Sequence, residues 1–360
     1  MAELKDIRKR INEIDKEMAK LFEERMQASS EVAEYKKEHA LPIFDNSREQ
    51  EIIDKNLQLI NNEEIKQYYV NFLQNTMDIS KKYQSALLNG LRVAYSGVKG
   101  AFAYIAAKKM FPNATYVSYV SFNDAYKACE KGECDVCVLP LENSYSGEVG
   151  LVMDLMFSGS LYVNQVYELE VTHNLVTKKG AKLDEIRTVY SHKQALDQCA
   201  DYINKYKFEV IEAPNTAWAA KYVSELNDPT VAAIASSDTA DLYDLEILDK
   251  NINVSNTNTT RFGAFCRASH KTSSNQINEH SILVFTVKNE AGALAKTLNI
   301  IGSHGFNMGS LRSRPMKELI WNYYFYVEIE GNINSSEGKD MIKALSIFCD
   351  KLKVVGTYTL

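Results

Sequence analysis

Residues 4–37 read LKDIRKRINEIDKEMAKLFEERMQASSEVAEYKK. Leu4, Ile7, Ile11, Ile14, Met18, Leu21, Arg25, Ala28, Val32 and Tyr35 recur in alternating steps of three and four, the spacing of one face of an α-helix. Arg25 stands in the middle of that apolar seam. A guanidinium there keeps its proton. A buried cation requires an anion, and no acid lies elsewhere on the seam. Either the side chain snorkels out between its neighbours, or it faces a pocket for an anionic ligand inside a helical bundle. One helix over this stretch would run about 50 Å, too long for a small monomeric domain to cover, so a second chain is expected along it.

Two more helices follow. Leu41-Pro42 ends the first. Asp45-Asn46-Ser47-Arg48-Glu49 opens the second, with Ser47 at the N-cap and Ile52, Ile53, Leu59 and Ile60 as the apolar face. The third is expected from about Glu63 to Leu88, with Ile65, Tyr69, Phe72, Thr76, Ser80, Tyr83 and Leu87 on its stripe and Gln84 beside it. Arg25, Glu49, Ser80 and Gln84 are thus polar residues on or next to core faces, and Arg8, Lys36 and Arg48 add positive charge nearby. This segment resembles the all-helical class of chorismate mutase. Arg8, Arg25 and Lys36 fall where that family places the two Arg and the Lys that grip the carboxylates of chorismate. Asp45, Arg48 and Glu49 match its second-helix residues, and Ser80 and Gln84 its third-helix residues. The resemblance implies an intertwined homodimer in which Arg8 crosses over from the partner chain. It also implies a Claisen rearrangement, which moves no proton and needs no nucleophile. Holding the substrate compact helps it, as does a positive charge or donor at the ether oxygen. Lys36 and Gln84 are the candidates for that oxygen, and Glu49 for the substrate hydroxyl.

Composition bounds the rest. A chain of 360 residues suits two or three domains. Its net charge of -6, without a basic block, argues against nucleic acid as a partner. There is no apolar run of about 18 residues, and the N-terminus reads as charged helix rather than signal peptide, so a soluble, cytoplasmic protein without membrane partners is expected. Six cysteines in such a length do not make a disulfide framework. Cys134-Asp135-Val136-Cys137 has CxxC spacing but no accompanying Cys or His pair, so metal or redox use is not expected.

From Leu91 the period changes. Leu91-Arg92-Val93-Ala94-Tyr95 reads as a strand, Ser96-Gly97-Val98-Lys99-Gly100 as a turn, and about Ala101 to Met110 as a helix whose N-terminus suits an anion. It is neither a P-loop nor GxGxxG. Apolar strands then alternate with helices at Tyr116–Val120, Val136–Leu139, Thr188–Tyr190, Glu209–Ile211 and Val231–Ala235, which argues α/β architecture with largely parallel sheets. Polar residues gather past strand ends: Glu142-Asn143-Ser144, Ser191-His192, Asn215-Thr216 and Ser236. Open α/β sheets bind ligands at such edges, and the same residue types cap helices; both readings stand.

Val138-Leu139-Pro140-Leu141-Glu142-Asn143-Ser144, Ser191-His192-Lys193-Gln194-Ala195-Leu196, Asn215-Thr216-Ala217 and Thr260-Arg261-Phe262 resemble the motifs of prephenate dehydratase, over roughly Leu91 to Arg267. The resemblance implies two α/β lobes, periplasmic-binding-protein-like, with a catalytic cleft between them and Thr260 as the essential residue. Glu142, Asn143, Ser191 and Gln198 fall at family active-site positions, with Ser144 a substrate contact. Many relatives carry hydroxyl residues where this chain has Ala101 and Ala103, so those contacts are absent. The reaction loses water and carbon dioxide as an aromatic ring forms. It needs a proton for the departing hydroxyl and a grip on two carboxylates. Thr260 is the candidate donor, by hydrogen bonding or by relaying a proton. Arg261 either binds a substrate carboxylate or makes a structural ion pair. His192 is left to capping or structure, because the reaction needs no base. No cofactor or metal is implied.

The C-terminal part reads β-α-β-β-α-β: strand Ser281–Val287, a helix opened by Asn289-Glu290-Ala291-Gly292-Ala293-Leu294 and running to about His304, strands Asn307–Arg314 and Trp321–Glu330, helix Ser335–Lys351, strand Val354–Tyr358. That order is ferredoxin-like α+β and resembles an ACT domain, an amino-acid-sensing module. Gly292-Ala293-Leu294 and Ser313-Arg314-Pro315 match the motifs where the dehydratase family binds phenylalanine. Ala291, Gly292, Ala293, Leu294, Asn307, Ser313 and Arg314 are the implied effector residues, and Arg312 stands where many relatives carry Glu. The expected domains are 1–89, 90–268 and 280–360, joined by the polar stretch from Ala268 to Glu279. The whole implies a bifunctional enzyme taking chorismate to phenylpyruvate for phenylalanine biosynthesis, at least a homodimer, feedback-inhibited by L-phenylalanine. The same folds would serve an arogenate-preferring dehydratase. The rival from another class is a non-catalytic amino-acid sensor with a helical dimerisation arm, which would not need Arg25.

Overall fold

The computed structural model describes residues 4–39, 46–226, 228–253, 258–269, 279–316 and 322–359, apart from the side chains of residues 37, 38, 46, 47 and 89. Leu41-Pro42, Asp45, the Ser47 cap, Trp321 and most of the expected linker lie outside that set. The described residues form two compact units, Met1–Arg92 and Val93–Leu360.

The first unit is helical: α1 (Leu4–Glu38), α2 (Asn46–Leu57), a single 3-10 turn at Glu63–Ile65, and α3 (Lys66–Asn89). Its in-chain packing lies beside the expected seam rather than on it. On α1, Ser29 and Ala33 are buried and Arg25, Met26 and Lys36 half-buried, while Leu4, Ile7, Ile11, Ile14, Met18, Leu21, Val32 and Tyr35 are exposed, Leu21 by 63%. On α3 the buried face is Met77, Ser80 and Gln84, flanked by half-buried Val70, Leu73 and Leu88; Ile65, Phe72, Tyr83 and Leu87 are exposed. The apolar positions on these helices therefore exceed what three helices of one chain can cover.

The second unit contains β1 (Arg92–Ser96), α4 (Phe102–Met110), β2 (Thr115–Tyr119), α5 (Phe122–Lys131), β3 (Val136–Asn143), β4 (Gly147–Glu148), α6 (Gly150–Ser158) and β5 (Tyr162–Glu170). Then come β6 (Asn174–Thr177), β7 (Thr188–Ser191), α7 (Lys193–Gln198), α8 (Ala200–Tyr206), β8 (Glu209–Glu212), α9 (Thr216–Glu225), β9 (Val231–Ala235), α10 (Ser237–Leu242), β10 (Glu246–Asp249) and β11 (Thr259–Cys266). The chain ends β12 (Glu279–Val287), α11 (Ala293–Ser303), β13 (Asn307–Pro315), β14 (Tyr323–Glu330), α12 (Ser336–Phe348) and β15 (Cys349–Thr359).

Two lobes result. One sheet runs β2-β1-β3-β11-β5 with β4 beside β3; the other runs β10-β6-β9-β7-β8. The expectation of largely parallel sheets is corrected: both are mixed. β11 lies antiparallel between β3 and β5, and β6 is antiparallel to β9 and β10, while β1–β3, β7–β8 and β7–β9 are parallel. The chain crosses between lobes twice, after β5 and before β11, so the strand that closes the first lobe arrives last. The two crossings bond to each other, Val171 N to Asn258 O at 2.8 Å and Ile252 N to His173 O at 2.9 Å. The Ser96–Gly100 turn meets the second lobe instead of an open anion site: Gly100 O accepts from Thr239 Oγ1 at 2.8 Å and Lys99 O from Tyr243 OH at 2.7 Å.

The third sheet runs β13-β14-β12-β15, all antiparallel, with α11 and α12 packed on one face. This is the split β-α-β order read from the sequence. Its other face shares a core with the first lobe, where Ile282, Val284, Tyr326, Val355 and Tyr358 pack with Leu139, Met156, Val163 and Phe265. At Gly356 a side chain would strike the Val163 carbonyl, so β15 approaches the backbone of β5 closely. Among the described residues no helix is long and apolar enough to cross a membrane, and no group of His, Cys, Asp and Glu is placed to hold a metal ion.

Candidate active sites

In the helical unit the in-chain face of α1 and α3 carries the polar residues. Arg25 Nη1 donates to Ser80 Oγ and, at 3.3 Å, to Thr76 O; Ser80 Oγ donates to Thr76 O at 3.0 Å. Arg25 is half-buried rather than buried, because only one side of it is covered in the single chain. Burial lowers its pKa, yet an Arg stays charged. Gln84, one turn past Ser80, is buried with no partner for Oε1 among the described residues. Lys36 lies three turns from Arg25 on the same side of α1 and is half-buried. Glu49 pairs with Lys81 at 2.8 Å, and Lys81 also reaches Asp78 at 2.8 Å. Lys81 escaped the sequence reading because it sits off the apolar stripe. Arg48 points to Glu51 at 2.7 Å on the surface. Arg8 is exposed, 17 positions before Arg25, which is about 25 Å along the helix. It therefore stands far from Arg25 within one chain. Asp45 is outside the described residues.

In the second unit a cavity of ≈ 300 Å³ opens between the lobes, lined by Phe102, Phe122, Asn143, Ser146, His173, His192, Gln194, Gln198, Asn215, Thr216, Asn258 and Thr260, among others. Strand parity decides who faces it. Thr260 pairs in register with Asn143, and Arg261 with Glu142. Successive strand residues point to opposite faces, so Asn143 and Thr260 share the cleft while Glu142 and Arg261 share the other side. Asn143 Oδ1 accepts from the backbone N–H of Tyr145 and of Ser146, both at 3.0 Å. Its amide is thereby fixed with Nδ2 toward Thr260 Oγ1 at 2.8 Å and Asn258 Oδ1 at 2.8 Å. Thr260 Oγ1 is an acceptor in that bond, so its own proton remains available to the cleft. Asn258 Nδ2 passes on to Gln198 Oε1 at 3.0 Å, which also meets His173 Nε2 at 2.8 Å. His173 and Asn258 were missed by the sequence reading; they lie in the two crossings between lobes.

Several expected residues do not reach the cavity. Ser191 is fully buried in the second sheet, Oγ donating to Ile234 O at 2.8 Å. Ser144 is exposed and braces the strand edge, accepting from Thr259 N at 2.9 Å. His192, Asn215 and Ser236 are N-caps of α7, α9 and α10, as the capping reading has it, and His192 and Asn215 also line the cavity.

Arg261 takes the ion-pair reading. It donates to Glu142 at 2.9 Å, to both oxygens of Glu328 at 3.1 and 2.8 Å, and to Tyr358 OH at 2.6 Å. Burial alone would raise the Glu328 carboxyl, but the bonds from Arg261 and Tyr358 outweigh it and hold it below the ordinary Glu value. Glu328→Gln is expected to cost about 3–5 kcal/mol, because it leaves the mostly buried Arg261 undercompensated. A denaturation midpoint well below that of the wild type would show it. A carboxyl with a depressed pKa contributes stability above its unfolded value and loses it as pH falls through the folded one. The gap between variant and wild type should therefore narrow in acid.

In the C-terminal sheet, Gly292 takes a left-handed conformation (φ +81) and opens α11. Ala291, Asn307 and Ser313 are exposed, and Ala293 and Leu294 half-buried. Arg314 instead turns to the first lobe, where its Nε meets Asp154 Oδ1 at 3.0 Å and Tyr324 OH at 3.1 Å against α6. Arg312 faces Glu148 at 3.6 Å.

Comparison with known proteins matches residues 7–85 to the family model of chorismate mutase type II and residues 93–270 to that of prephenate dehydratase. A bifunctional chorismate mutase/prephenate dehydratase of Aquifex aeolicus is 33% identical, over 99% of this chain and 98% of its own. A prephenate dehydratase of Arthrobacter aurescens, solved in complex with L-Phe, shares the fold with TM-score 0.69 at 24% identity, over 75% of this chain and 90% of that one. A structure described as a novel type of quorum-quenching acylase also aligns, with TM-score 0.69 at 27% identity, over 74% of this chain and 97% of that one.

Proposed function

Because this chain belongs to the family of bifunctional chorismate mutase/prephenate dehydratases, we propose that it rearranges chorismate to prephenate in its helical unit and turns prephenate into phenylpyruvate in its cleft, for phenylalanine biosynthesis. The observation that supports the second half is the Asn143–Thr260 pair, whose fixed polarity leaves the Thr260 proton available to the cavity. In that step the bond to the ring carboxylate breaks and carbon dioxide leaves. The electron pair enters the ring, and the ring hydroxyl departs as it takes a proton from Thr260. Asn143 stabilises the oxygen left behind. The N-terminus of α9, where Asn215 and Thr216 line the cavity, favours a substrate carboxylate. Arg261, turned away, is left out of the substrate set, as are Glu142, Ser144 and Ser191.

In the helical unit, Arg25, Ser80 and Gln84 form the core of the proposed mutase site, with Lys36 and Glu49 at its edges. The exposed seam of α1 supports a homodimer, and the distance of Arg8 from Arg25 supports its delivery from a partner chain. The C-terminal sheet is proposed as an ACT-type module that binds L-phenylalanine near the start of α11. Its bonds to the first lobe, through Glu328 and Arg314, support control of the cleft.

Incubation with chorismate should yield phenylpyruvate without added cofactor. Phenylalanine should bind in calorimetry and slow the dehydration of added prephenate several-fold, since coupling of about 1–3 kcal/mol is typical. Prephenate accumulating as the sole product would refute the dehydratase half. Absence of phenylalanine binding would refute the sensor.

A further inference from the structure

The bonding around Asn143 fixes more than Thr260. With its Oδ1 held by two backbone N–H groups, Asn143 must donate to Asn258 Oδ1, which leaves Asn258 Nδ2 as donor to Gln198 Oε1. Gln198 Oε1 can only accept, so His173 Nε2 at 2.8 Å carries the hydrogen. The polarity of a backbone turn thus reaches the tautomer of a histidine through three amides. His173 Nδ1 is then a bare acceptor. It is buried, the residue being 2% exposed, and has no partner among the described residues, although His173 lines the cavity. Burial also lowers its pKa, which keeps the ring neutral. Gln198 Nε2 is likewise buried and without a partner among the described residues. An unsatisfied buried acceptor on a residue that lines a cleft takes its donor from water or from the ligand.

We infer that His173 is a catalytic residue of the dehydratase cleft, its Nδ1 accepting a hydrogen bond from the ring hydroxyl of the substrate. The inference rests on the dehydratase reading and deepens it. Prephenate at neutral pH has two ionised carboxylates and a ketone, all acceptors, so its ring hydroxyl is its single donor. That hydroxyl is the group that must leave. Held by its hydrogen on Nδ1, it turns an oxygen lone pair toward Thr260, and the bond makes that oxygen more basic toward the arriving proton. His173 itself neither gives nor takes a proton. The amides between it and Thr260 fix direction and carry no proton.

Two substitutions separate this role from a merely structural one. His173→Gln retains an N–H for Gln198 but removes the Nδ1 acceptor. His173→Asn retains an acceptor near Nδ1 but gives up the bond to Gln198. Turnover of added prephenate is expected to fall about 10- to 100-fold in the Gln variant, the cost of an unmet hydrogen bond, with KM changing little. The Asn variant should be the more active of the two. Mutase turnover, which belongs to the helical unit, should be unchanged in both, and a wild-type thermal unfolding transition of the Val93–Leu360 unit reports that the cleft is folded. A Gln variant as active as the Asn variant or better, or the two failing equally while folded, would overturn the inference. A wild-type chain without dehydratase activity would instead sink the reading beneath it.

Discussion

Thr260→Ala is expected to lower dehydratase turnover by about two to four orders of magnitude, the range for losing a positioned proton donor, and to leave mutase turnover unchanged. Chorismate supplied to the variant should therefore pile up as prephenate. The hydroxyl is poised by one bond, from an Asn143 amide that backbone N–H groups hold in place. Thr260→Ser restores that hydroxyl on the same strand and should recover most of the rate. In the proposed step a Thr hydroxyl, a weak acid, would act as the carbon–oxygen bond breaks and not before. Equal damage from Ser and Ala in a prephenate assay would move the role to the methyl group or the backbone.

Asn143→Ala is not an equivalent experiment. It removes the partner of Thr260, opens the turn at Tyr145 and Ser146, and frees Asn258. A fall in its turnover would mix positioning with local unfolding. Thr260 is buried at the cleft face of β11, and its exchange for Ser or Ala disturbs little else.

Much of this was legible one module at a time. The step of three and four over residues 4–37 gave α1, and the C-terminal strand and helix order is the one observed. What stayed hidden depends on residues distant in sequence. β11 inserts between β3 and β5 some 90 residues after β5 ends, so no local pattern marks it as the strand that makes the sheet mixed. Arg261 was open between ligand and ion pair because parity settles it only once Thr260 is known to lie on a strand facing the cleft. Ser191 follows an apolar run like any loop residue, yet its hydroxyl is spent inside the sheet. His173 gave no local signal, since its meaning comes from Gln198 and Asn258.

In the proposed mutase site Arg25 is the central cation, held on the in-chain side by Ser80 and Thr76. Arg25→Ala is expected to cut chorismate consumption by at least about two to three orders of magnitude, the scale seen when one preorganised donor to developing charge is removed, while added prephenate is still dehydrated. The chain spends a half-buried cation at a position whose seam neighbours, Leu21 and Ala28, are apolar, and gives it a hydroxyl and a carbonyl as partners rather than a carboxylate. Neutral partners orient a guanidinium without discharging it, which suits a ligand that brings its own negative charge. A structural Arg would be better served by an acid, as Arg261 is by Glu328 and Glu142. The contrast predicts opposite outcomes: loss of Arg25 should spare the fold and destroy one activity, whereas breaking the Arg261 cluster should cost stability. Ser80→Ala should leave the Arg25 charge in place and lower mutase turnover far less. Near-normal mutase turnover in Arg25→Ala, or loss of both activities in a folded chain, would remove Arg25 from the site.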